Sequence, residues 1–184
     1  MGVSLARAAY IMGANVQLVF GPGQAVVPPY LSVIRVRSAQ QMAQAVFERF
    51  NTCDVYIGAA AVADFTPEET AADKIKKKEG RLNLPLKRTV DILQTLGKKR
   101  SGQILVGFSV ETEQVIENSL QKLRRKNLDL IVVNNPKEKG AAFGVETNKV
   151  TVIEKNGQVH NWPLMNKLEL SFKILELLAK VLTK

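Results

Sequence analysis

Aspartates, lysines and one asparagine at the ends of apolar runs are the side chains of this sequence best suited to hold or transform a ligand. Ala59-Ala60-Ala61-Val62-Ala63-Asp64-Phe65 follows the apolar VYIG. Its small side chains let a base or sugar approach the backbone, and Asp64 can bond a ribose hydroxyl, hold a cation or cap a local turn. Farther on, Asp73-Lys74-Ile75-Lys76-Lys77-Lys78-Glu79-Gly80 is too charged for a core element and reads as a flap ending in glycine. Lysines on such a flap can close over a triphosphate or an acyl phosphate, excluding water and stabilising negative charge as it develops. The plainer reading of the same lysines is a solvated basic loop. Thr89-Val90-Asp91-Ile92-Leu93 has the form of a helix N-terminus, whose free N–H groups serve either a capping side chain or a ligand oxygen. Phe108 ends another apolar run beside Gly107. Lys122, Arg125 and Lys126 recur at helical spacings of three and four, which puts their cations on one face, as a phosphate clamp or as a solvent-facing stripe. Asn15, in Gly13-Ala14-Asn15-Val16, can donate its amide to a carbonyl oxygen or simply close the turn, with Gly13 as the left-handed cap.

Such residues need a scaffold, and the hydrophobic pattern describes one. Amphipathic segments alternate with short β-branched runs, the mark of an α/β fold with crossover units around a mostly parallel sheet. The runs 16–20, 55–60, 104–108 and 130–133 are nearly continuous and read as buried strands, with Val33, Ile34 and Val36 forming another. Ser38-Ala39-Gln40-Gln41 has capping-box spacing and opens a helix whose Met42, Val46, Phe47 and Phe50 share a face. A second helix is expected over 113–126. Asn156-Gly157, between VTVIEK and QVHNW, marks a tight C-terminal β-hairpin, after which Asn166 can cap a last helix running to near Lys184. With 184 residues, 46% of them hydrophobic, a single domain over 1–184 with one core is expected. A domain of this type opens with a strand and a glycine-rich turn, whereas Met1-Gly2 enters a helix directly, so a strand and a phosphate-binding loop are expected upstream.

Composition narrows the chemistry. One cysteine excludes an intrachain disulfide, and one cysteine with one histidine cannot form a Cys/His structural zinc site. Cys53, just before DVYIGAAA, reads as a buried apolar residue rather than a nucleophile. No run approaches the roughly 20 apolar residues of a membrane span, and MGVSLARAAYIMG lacks a signal-peptide cleavage pattern, so a soluble, cytoplasmic protein is expected. The 26 Lys and Arg against 17 Asp and Glu give a formal +9, which suits an anionic ligand. KIKKK and KLRRK carry no aromatic residues for base stacking, which favours a small phosphorylated ligand over nucleic acid. No GxGxxG is present to support a dinucleotide-dependent reductase.

The order of these segments resembles bacterial-type phosphopantothenoylcysteine synthetase. GANVQLVFGP, IGAAAVADF, DKIKKK, TVDIL, GFSVET, QKLRRKNLDLIVVNN, AFGVETNKVTVI and PLMNKLEL follow in that family's order across essentially the whole chain. The most specific pair is IGAAAVADF with KIKK ten residues after its aspartate. The resemblance implies a Rossmann-like three-layer fold and an enzyme that activates the carboxylate of 4'-phosphopantothenate with a nucleotide, usually CTP. Cysteine then attacks the acyl-nucleotidyl intermediate. It further implies Mg2+ with the triphosphate, a homodimer, and in bacteria a fused phosphopantothenoylcysteine decarboxylase. By position, Asn15 would contact the acyl intermediate and Lys74 would serve its conversion. Ala60, Asp64, Lys74, the Val90-Asp91-Ile92-Leu93 turn, Phe108, Lys122 and Lys126 would bind nucleotide. Val90 departs from the proline common in the family, and the family's glycine-rich loop and SSGKMG segment would lie upstream, with Met1-Gly2 as its last two letters.

Overall fold

The computed structural model describes residues 1–69, 73–76, 83–111, 113–135 and 145–182. Helix α1 (Gly2–Ile11) leads through Gly13, at φ 89°, into β1 (Gln17–Phe20). That positive φ is the left-handed cap expected there, which glycine adopts without steric cost. Strand β1 pairs in parallel with β2 (Ser32–Arg35), Leu18 opposite Val33. Helix α2 (Ala39–Phe50) is capped by Ser38, whose Oγ accepts from the Gln41 N–H at 3.1 Å, while Gln41 Oε1 accepts from the Arg37 N–H at 2.7 Å. The reciprocal bond of the capping box therefore falls one residue earlier than the motif prescribes. Met42, Val46 and Phe50 are buried as their spacing implies. Phe47 is only half-buried and lies 5.4 Å from the Lys99 ammonium.

The chain continues through β3 (Val55–Gly58), the antiparallel pair β4 (Phe65–Pro67) and β5 (Leu86–Arg88), α3 (Ile92–Lys99), β6 (Ile104–Val110), α4 (Val115–Arg125) and β7 (Leu130–Asn134). It ends in β8 (Thr147–Asn148), β9 (Val150–Glu154), β10 (Val159–Asn161), β11 (Met165–Asn166) and α5 (Lys167–Leu182). Five strands form one sheet in the order β10-β9-β7-β6-β3, with β3, β6 and β7 parallel and β9 and β10 added antiparallel. The expected hairpin turns at Gly157, φ 90°.

Alternation along the central strands explains the layers. Ile104, Val106, Leu130 and Val132 face a cluster with Leu5 of α1 and Leu170, Ile174 and Leu178 of α5. Leu105, Ile131 and Val133 face the other way, against Val46 and Phe50 of α2, Leu96 of α3 and Leu123 of α4. The molecule is thus a three-layer α/β fold with a cluster on each face of its sheet, rather than the one core its length suggested.

Several expectations change in detail. The strand read over 55–60 stops at Gly58, the run 104–108 extends to Val110, and the helix expected over 113–126 spans Val115–Arg125. The β1–β2 pair is a separate sheet, although its sequence looks like any other central strand pair. Cys53 is half-buried against the α2 side of the core, its thiol donating to the Phe50 carbonyl at 3.3 Å. Burial, and next the Asp54 charge, push that thiol above its ordinary value, so it stays protonated and behaves as a packing residue. Of the flap, only residues 73–76 lie within the described residues.

Candidate functional site

A cleft of about 2220 Å3 opens at the carboxyl ends of β3 and β6 and extends along β1 and β3. Its size exceeds that of an ordinary small-molecule pocket, roughly 300–1,000 Å3. The reason is architectural: among the described residues neither the second edge of β1 nor that of β3 has a strand partner, and both strands line the cleft. Ala60, Asp64, Val90, Asp91, Ile92, Leu93, Phe108, Lys122 and Lys126, scattered over more than sixty positions, all line it. Contacts between distant segments help gather them: Thr89 bonds to the Ala63 and Asp64 carbonyls, and Lys126 reaches Asp91.

The wall is braced from within. Thr89 Oγ1 donates to the Ala63 carbonyl at 2.5 Å and its N–H donates to the Asp64 carbonyl at 2.9 Å. These bonds lock the loop after β3 onto the segment that enters α3, leaving the Asp64 side chain exposed. Asp91 caps α3, accepting from the Gln94 N–H at 3.0 Å. The same carboxylate accepts from Lys126 Nζ at 2.9 and 3.1 Å. Asp91 is therefore both a cap and the anchor of a lysine. Burial pushes its carboxyl up, but the bonds from Lys126 and Gln94 and the charges of Lys126 and Arg125 outweigh that and hold it below the ordinary value.

One turn earlier on α4, Lys122 is anchored in the same manner. Its ammonium donates to Ser109 Oγ at 2.9 Å and to Glu111 Oε1, while the Ser109 hydroxyl donates to Glu111 Oε1 at 2.7 Å. Ser109 and Glu111 were not singled out by sequence reasoning. The available signal was strand alternation: two positions apart at the end of β6, they project to the same side. Arg88, whose guanidinium lies 5.6 Å from the Phe65 ring centre, is a further cation on the cleft wall. Phe108 is half-buried against the α1–α5 side of the core and also borders the cleft.

Two expected residues are placed differently. Lys74, between β4 and β5 in sequence, is exposed and outside the cleft lining, and the Glu68 N–H donates to the Pro85 carbonyl at 3.0 Å. Asn15 is exposed and borders the cleft just before the amino end of β1. Among the described residues no group of three or more His, Cys, Asp and Glu gathers to hold a metal ion. The exposed carboxylate of Asp64 does not by itself suit a protein-held Mg2+, whose coordination demands several oxygens. No described helix is long and apolar enough to cross a membrane.

Residues 1–182 match the family model described as DNA/pantothenate metabolism flavoprotein C-terminal domain. The chain is 47% identical over 180 residues to the coenzyme A biosynthesis bifunctional protein CoaBC of Bacillus subtilis (strain 168), covering 97% of this chain and 44% of that protein. It spans about half the length of the curated relatives it matches. Its fold superposes on the crystal structure of the C-terminal domain of a coenzyme A biosynthesis bifunctional protein CoaBC with a TM-score of 0.83 at 36% identity, covering 99% of this chain and 82% of that one. A Cab2 mutant in complex with phosphopantothenate-cysteine superposes with a TM-score of 0.73 at 16% identity, covering 97% of this chain and 76% of the other, a likeness of fold alone.

Proposed function

Because the chain belongs to the family of DNA/pantothenate metabolism flavoprotein C-terminal domains, we propose that it binds a nucleoside triphosphate, CTP first among them, and ligates cysteine to 4'-phosphopantothenate. The observation that carries this reading is the pair of carboxylate-anchored lysines, Lys122 and Lys126, one helical turn apart on the cleft wall. Anchored ammonium groups are preorganised for a polyphosphate, which gains electrostatic stabilisation without first ordering the side chains. The exposed Asp64 suits a ribose hydroxyl, and Phe108 supplies an apolar surface for the base.

In this scheme a carboxylate oxygen of phosphopantothenate attacks the α-phosphorus of CTP, and pyrophosphate leaves. The cysteine amine then attacks the acyl carbon of the mixed anhydride, loses its proton to solvent, and CMP departs. Lys74, between β4 and β5 in sequence, fits a cation that swings toward the leaving phosphates. Asn15, exposed at the border of the cleft, would orient the acyl carbonyl with its amide. Mg2+ enters this scheme with the triphosphate as part of the substrate. A homodimeric assembly, a cytoplasmic setting and a decarboxylase on the same polypeptide belong to the same proposal.

The test is a titration of CTP, ATP and NADPH, each with Mg2+, into the chain, followed by thermal stability, with pyrophosphate release measured in the presence of phosphopantothenate and cysteine. Selective stabilisation by CTP is expected, abolished in Lys122→Ala/Lys126→Ala. Lys74→Ala should keep that stabilisation and lose pyrophosphate release by about a hundredfold. A chain that binds neither triphosphate overturns the reading.

A further inference from the structure

The nucleotide reading uses Lys122 as an anchored phosphate contact, and the groups that anchor it are Ser109 and Glu111. Of the three N–H bonds an ammonium can donate, Lys122 spends one on Ser109 Oγ and one on Glu111 Oε1. The Ser109 hydroxyl gives its own proton to the same carboxylate oxygen, which leaves its lone pair for the lysine. The three side chains thus form a closed triangle. The triangle is oriented: the Lys122 side chain is 39% exposed and that of Glu111 only 11%. Ser109 and Lys122 line the cleft, whereas Glu111 does not.

Glu111 is itself held to the sheet. Its N–H donates to the Asn134 carbonyl at 3.1 Å, which continues the β6–β7 ladder past the end of β6. Burial pushes its carboxyl up, but the hydrogen bonds from Lys122 and Ser109 and the Lys122 charge outweigh burial and keep it below the ordinary glutamate value. An ionised anchor on a rigid element removes rotamer freedom from a long, flexible side chain before any ligand arrives.

We propose that Glu111 is a positioning residue: with Ser109 it fixes Lys122 Nζ at the carboxyl end of β6, so that the remaining N–H faces the cleft to meet a phosphate oxygen of the nucleotide. This role rests on the nucleotide reading above. A carboxylate that merely competed with the ligand for Lys122 would have to line the cleft and be displaced. Glu111 is instead nearly buried and outside the cleft lining, so an anion can bind with the triangle intact.

The experiment is calorimetric titration of CTP with Mg2+ into the full chain and its variants, with fold checked by circular dichroism. Glu111→Ala should weaken binding about tenfold, and Glu111→Gln, whose amide oxygen can accept the same bonds, should recover all but about threefold. In a Lys122→Met background the effect of Glu111→Ala should shrink to less than about twofold, because the group being positioned is gone. Unchanged affinity in Glu111→Ala, tighter binding in both Glu111 variants, or an equal loss in the Lys122→Met background would each overturn the role while leaving the nucleotide reading standing. Should Glu111→Ala not fold, Ser109→Ala carries the test, with a loss of about threefold expected and none overturning the role. A wild-type chain that binds no CTP overturns the nucleotide reading, and the role with it.

Discussion

Two carboxylates, Asp91 on the cleft wall and Glu111 outside its lining, are both engaged by lysines of that wall. A carboxyl held below its unfolded value stabilises the fold above that value and loses the contribution as the pH falls through the folded one. For Glu111 the contribution is complete above its ordinary 4.5 and disappears at lower pH. For Asp91 the same holds below its ordinary 3.8. The melting temperature of Glu111→Gln relative to the parent should therefore differ by a constant amount from about pH 6 to 8, and the difference should shrink below about pH 4.5. A difference that persists unchanged to about pH 3 would mean that Glu111 titrates like a free glutamate. The residue types were legible early: Asp91 in a helix-start pattern, Lys122 and Lys126 at helical spacing. Which acid meets which lysine was not, because the partners are 11 and 35 positions apart and only the packing of α4 beside β6 and α3 joins them.

Among the elements, the meeting of α3 with the end of α4 decides where the lysine pair stands. Gly97 is fully packed there: a Cβ at that position would lie 2.0 Å from the Lys126 carbonyl oxygen. Asn127, in a left-handed conformation at φ 50°, closes the contact by donating its side-chain amide to the Gly97 carbonyl at 2.9 Å. Because the obstacle is backbone, it cannot rotate away. Gly97→Ala should lower stability by about 2 kcal/mol in chemical denaturation, despite alanine's better helix propensity, and should also weaken CTP binding by moving Lys126 from Asp91. An alanine variant as stable as the parent would show that the two helices can part without cost. Glycine within a helical run is an audible signal in sequence, but its cause, the Lys126 carbonyl 29 positions away, is tertiary.

At the scale of the whole molecule, a formal charge of +9 surrounds a site whose lysines are already paired with acids. The unpaired excess then acts at long range, steering an anion toward the cleft more than holding it once bound. Association of CTP with the chain in stopped flow should slow several-fold between about 0.02 and 0.3 M salt, while dissociation changes little. An association rate indifferent to salt would show that the basic residues are spread too evenly to steer. The three-layer architecture makes this arrangement possible, since it places every segment that follows β3 and β6 on one edge of the sheet while the helices cover its faces.

The central strands, the buried face of α2, the hairpin at Asn156-Gly157, the cap at Ser38 and the helix start at 89–93 followed from the sequence alone, because periodicity and capping are local and each has its own residue signature. Tertiary structure alone decided that β1 and β2 stand as a pair apart from the five-stranded sheet, that Thr89 bolts two loops together, and that Ser109 and Glu111 hold Lys122. Those outcomes depend on through-space partners whose separation along the chain carries no period, so no local pattern announces them.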